Sequence, residues 1–172
     1  MTADATRSAF PVLLAVALAS LVACAKGEQP APQGAVAAPA AASSPCAHAA
    51  CSDHFFVEAA PGDCAAGAAC SLELKVVATG DYHINDDYPY RFKADDAPGI
   101  AFLGSNPTDK DVFSKPAGDW QKAEAKAGAM TVKFTPSAPG KKTISGTFKV
   151  SVCSAENCLL EQPKVSAVVA AK

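Results

Sequence analysis

From residue 51 onward the side chains repeat with a period of two, and any fold must accommodate that repeat. Over 142–153, Ile144, Gly146, Phe148, Val150 and Val152 alternate with Thr143, Ser145, Thr147, Lys149 and Ser151. Successive residues of a strand point to opposite faces, so such a run has one apolar and one polar side. Leu72, Leu74, Val76 and Ala78 form a second apolar row. Tyr88, Tyr90, Phe92 and Ala94 alternate with Pro89, Arg91 and Lys93, and Met130, Val132 and Phe134 with Thr131, Lys133 and Thr135. A run over 163–169 supplies a closing strand. Turn signals separate the runs, among them Pro61 with Gly62, Pro98 with Gly99, and Pro139 with Gly140. The pattern predicts about six to eight short strands in an all-β, immunoglobulin-like antiparallel sandwich. One stretch reads otherwise. Residues 119–127 are rich in Ala, Lys and Glu, which favour helix locally, although they lack an apolar stripe.

The first 50 residues cannot join that pattern. An apolar run from Pro11 to Cys24 is too short to span a bilayer core of ~30 Å and reads as the centre of a signal peptide. It ends in Leu21, Val22, Ala23 and Cys24, which resembles a bacterial lipobox. That resemblance implies cleavage before Cys24, lipidation of Cys24, and a stable membrane anchor of several acyl chains. Residues 26–45 are Pro, Ala, Gly and Ser with no apolar side chain larger than Val. Such a segment cannot bury enough surface to offset its ordering entropy and reads as a disordered tether. The expected organisation is therefore a signal peptide over 1–23, a lipidated cysteine and tether over 24–50, and a sandwich domain over 51–172.

Length and charge narrow the function classes. At 172 residues the chain holds one ordinary domain plus these extras. Its net charge of −2 offers no basic footprint for nucleic acid. No Ser-His-Asp order, phosphate loop or paired-carboxylate motif is present, so hydrolase and nucleotide functions have no support. No cofactor is implied.

Seven cysteines in so short a chain point to an oxidising compartment. With Cys24 assigned to lipid, six remain in close pairs: Cys46 and Cys51, Cys64 and Cys70, Cys153 and Cys158. Sequence alone does not fix their connectivity; local pairing is the expectation. Cys64 and Cys70 flank a small-residue loop before a strand, which reads as a structural staple. Cys46 and Cys51, with His48 and His54, have the ligand types for a soft metal but not a zinc spacing. A structural disulfide is expected there and no metal. Cys153 ends the longest strand and Cys158 begins the return, so four residues between them form a hairpin tip. A ring so small stabilises by only ~2 kcal/mol, so the pair can open while the domain stays folded.

The run FKVSVCSAENCLLEQP over 148–163, with GDYHIN over 80–85 upstream, resembles the N-terminal periplasmic domain family of the thiol:disulfide interchange protein DsbD. The likeness covers about 55–170. It departs at Val150 and Ser151, where the family usually carries Tyr-Gln, and at Pro163, which follows the second cysteine at a greater distance. The resemblance implies an immunoglobulin-like sandwich in which Cys153 and Cys158 exchange disulfides with thioredoxin-like partners. It also implies an aromatic cap over the pair, for which Tyr82, Tyr88 and Tyr90 are candidates; core packing is the other reading of these rings. Two functions stay open: a lipid-anchored exchange protein of the bacterial cell envelope, or a non-catalytic, disulfide-stapled sandwich that binds a protein or envelope component.

Overall fold

The computed structural model of the chain describes residues 47–172, and the signal peptide, Cys24, the tether and Cys46 lie outside them. The described residues are all-β, with twelve strands and no helix. In chain order these are β1 (Ala50–Cys51), β2 (Phe55–Pro61), β3 (Cys70–Ala78), β4 (His83–Ile84), β5 (Arg91–Ala94) and β6 (Ile100–Phe102). There follow β7 (Val112–Ser114), β8 (Trp120–Glu124), β9 (Ala127–Pro136), β10 (Gly140–Cys153), β11 (Cys158–Glu161) and β12 (Lys164–Ala171).

They form two six-stranded antiparallel sheets packed face to face as a sandwich. In the first, β1, β2, β3 and β9 run side by side, and β6 and β8 share the far edge of β9. The second is built around β10. One side of this 14-residue strand holds β12 and then β11; the other holds β5, with β7 beyond it, and then β4. The apolar rows read from the sequence are the inward faces: Leu72, Leu74, Val76, Met130, Val132, Phe134, Ile144, Phe148, Val150 and Val152 are all buried. Aromatic rings lock the sheets together. Trp120 on β8 lies 6.2 Å from Phe148 on β10, and Phe102 on β6 lies 6.3 Å from Phe113 on β7. Gly146 interrupts the apolar row of β10 because the Phe92 ring fills its place; a Cβ there would stand 2.5 Å from the ring and 2.4 Å from the Lys93 carbonyl.

The local helix preference over 119–127 is not realised, as the all-β expectation requires. Those residues make β8, a turn, and the start of β9. Helix propensity is a weak local preference, and here burial of Trp120 overrides it. Its indole stacks 3.9 Å from the Tyr90 ring. The turn that follows ties down the neighbouring strands, because the carbonyls of Lys126 and Ala125 accept from the amides of Ala78 and Ile84.

Candidate functional site: the disulfide at the end of the central strand

Cys153 and Cys158 are bonded to each other and stand directly opposite in the β10–β11 ladder, with Cα atoms 4.0 Å apart. Residues 154–157 form the tip. Ser154 organises it: its hydroxyl accepts from the amides of Glu156 and Asn157, and its own amide donates to the Asn157 carbonyl. On the other side of Cys153 lies His83 of β4, also directly opposite. Cys153 is therefore the middle of a three-strand row with His83 and Cys158 as its flanks. Side chains directly opposite share a face, so the disulfide and His83 lie together on the outer face of the sheet.

The two sulfur-bearing residues differ in access. Cys153 is buried at 7% exposure, whereas Cys158 is exposed. Tyr82, just before β4, donates from its hydroxyl to the Asn157 side chain at 3.3 Å, spanning from the β4 flank to the tip. The His54 ring stacks on Tyr82 at 4.3 Å. Tyr90 is fully buried and stacked on Trp120, and Tyr88 packs edge-on against it. Of the three tyrosines proposed as a cap, Tyr82 is the one with a described contact to the tip.

Beneath the row lies a polar knot. The Tyr90 hydroxyl donates to the Ser151 carbonyl at 2.5 Å and accepts from the Asn85 amide at 3.0 Å. Asn85 also donates from its side chain to the Ser151 hydroxyl at 3.1 Å. This explains why Ser151, on the polar side of the alternation, is fully buried: the 85–90 segment folds over it. Burial raises the ionisation point of the Tyr90 phenol well above the ordinary tyrosine value, and more weakly that of Tyr88.

Cations give the disulfide little help. Lys164 is paired with Asp95 at 3.1 Å, and Lys149 is four positions back along β10, next to Arg91 across the ladder. Lys122 hydrogen-bonds Asp86 and holds its carboxyl below the usual range.

The second disulfide, Cys64–Cys70, lies at the opposite end of the sandwich. Both its residues are buried, and the Cys64 carbonyl accepts from the Lys172 amide beyond the end of β12. Cys51 is disulfide-bonded as well; its expected partner, Cys46, lies outside the described residues. His48 stacks on Phe56, and His54 on Tyr82. The chain is a disulfide-stapled β-sandwich.

No family model and no curated protein matches the chain. Among solved structures it is similar to AggA, the major subunit of aggregative adherence fimbriae type I from Escherichia coli. The identity is 11% and the TM-score 0.32, over 73% of this chain and 100% of that one. A likeness of that depth carries no functional argument.

The sequence locates the cysteines and Tyr82, but not what joins them, and His83 reads there as a structural strand-end residue rather than as part of a site. The contacts of Asn157 and His54 with Tyr82, and of Ser52 with Glu161 of β11 at 2.8 Å across 109 residues, had no local signal.

Proposed function

We propose that this chain is a lipid-anchored envelope protein, related to the N-terminal domain of DsbD, that exchanges thiols and disulfides with thioredoxin-like partners through Cys153 and Cys158. The observation that carries this reading is the asymmetry of the pair. Cys153 is buried and flanked by β4, while Cys158 is exposed on a hairpin whose opening costs the fold little. Of the two cysteines, Cys158 is therefore the one that an attacking thiol meets first.

In the reaction, a partner thiolate attacks Cys158 Sγ. The Cys153–Cys158 bond breaks, its electron pair stays on Cys153 Sγ, and a mixed disulfide joins the partner to Cys158. The partner's second thiol, losing its proton, then attacks its own sulfur in that bond and expels Cys158 as thiolate. Two protons taken up at Cys153 and Cys158 complete the balance: the partner dithiol is oxidised to a disulfide, and this pair is reduced to two thiols.

The test is covalent trapping. Wild-type protein mixed with a thioredoxin that retains only its attacking cysteine should give a mixed disulfide, with peptide mapping placing it on Cys158. The pair's potential should lie above the roughly −300 mV below which structural disulfides usually fall. A pair that forms no adduct, and that is reduced only when the domain unfolds, would leave the disulfide as a staple and the protein as a non-catalytic binding module.

A further inference from the structure

Displacement at sulfur proceeds in line: the incoming thiolate, the sulfur attacked and the sulfur that leaves fall close to one axis. For attack on Cys158 with Cys153 leaving, that axis runs across the sheet from β10 to β11 and out beyond β11. The opposite approach, toward Cys153, is occupied by β4 and His83. Beyond β11 there is no further strand among the described residues, since β11 pairs with β10 alone. Among the described residues, its outer backbone groups form an open edge.

The next residue of β11 on the disulfide's face is Leu160, opposite Ser151. It is 67% exposed, more than either of the other exposed large hydrophobics among the described residues, Val168 at 57% and Leu103 at 41%. Isolated apolar residues are common on surfaces and need no explanation by themselves. Leu160 is informative because of its position, one strand repeat or about 7 Å from the attacked residue. Bare edge strands are usually blunted by charge or proline. Here the edge carries a leucine, and the neighbouring Glu161 is engaged by the Ser52 hydroxyl.

Building on the exchange reading, we infer that the open edge of β11, with Leu160 as its apolar contact, is the surface on which the thioredoxin-like partner docks. The axis of attack brings the partner over this edge. There a segment of its backbone can continue the sheet by main-chain hydrogen bonds, while Leu160 is covered by the apolar surface around its cysteine.

The experiment measures reduction of the full chain by two reductants, reduced thioredoxin and dithiothreitol, for the wild type, Leu160→Thr and Val168→Thr. Threonine keeps strand propensity and adds no charge. Leu160→Thr should slow reduction by thioredoxin about fivefold, the loss of one interface anchor. Its dithiothreitol rate and circular dichroism should match the wild type, and Val168→Thr should match in both arms. Equal thioredoxin rates for the wild type and Leu160→Thr would overturn the docking edge and leave exchange standing. A parallel loss in the dithiothreitol arm would also overturn it, because the substitution would then act on the disulfide itself. Wild-type protein reduced by neither reagent while folded would overturn the exchange reading and the docking edge with it.

Discussion

Tyr90 joins the core to the strand that ends in the Cys153–Cys158 disulfide. Its ring is stacked on Trp120, and its hydroxyl serves both the Ser151 carbonyl and the Asn85 amide. Tyr90→Phe keeps the stack and removes the hydroxyl. It should cost about 1–3 kcal/mol in urea unfolding, the usual penalty for leaving buried polar groups short of a partner. The same residue gives the stability a pH dependence. In the unfolded chain a tyrosine ionises near pH ~10, whereas in the fold burial keeps Tyr90 protonated beyond that point. Above about pH 10 the unfolded state holds fewer protons than the native state, so stability falls as pH rises. The decline should be shallower in Tyr90→Phe, and chemical denaturation across pH 9–11 would show it; an unchanged slope would mean that this phenol carries none of the alkaline sensitivity.

Strands were legible where burial alternates, as in β3, β9 and β10, because period-two patterning reports directly on which side meets the core. It was silent over 119–127, where the composition favours helix locally and one buried indole outweighs it. The hairpin tip was legible because loop length and strand register are local properties. The flanks of the site were not, since β4 reaches Cys153 only through pairing across some 70 positions. At this scale the two described disulfides should respond differently to reductant. Cys153–Cys158 ends a hairpin with one exposed member, whereas Cys64 and Cys70 are both buried, Cys64 in a loop held to the end of β12 and Cys70 at the start of β3. Limiting dithiothreitol followed by alkylation of native protein should label Cys153 and Cys158 while Cys64 and Cys70 stay blocked, with far-ultraviolet circular dichroism unchanged. Equal labelling of both pairs would show that the tip has no special access.

The described residues belong to one compact unit, and the proposed anchor lies outside them, at Cys24. Wild-type protein should partition with detergent and carry a lipid mass, and Cys24→Ala should remain uncleaved or appear in the soluble fraction. A wild type recovered wholly in the aqueous phase without lipid would remove the anchor. The division of strands between sheets also has a consequence for a chain that emerges N-terminus first. Every strand of the first sheet has been made by Pro136, whereas β10, on which β4, the β5–β7 pair, β11 and β12 all align, is still to come. During synthesis, then, one finished sheet would present the bare leucines and valines of β3 and β9 to the surroundings until the last third of the domain arrived. This interval is one in which association with other chains competes with completion. The central strand that ends in Cys153 is thus also the piece whose arrival ends the nascent protein's exposure.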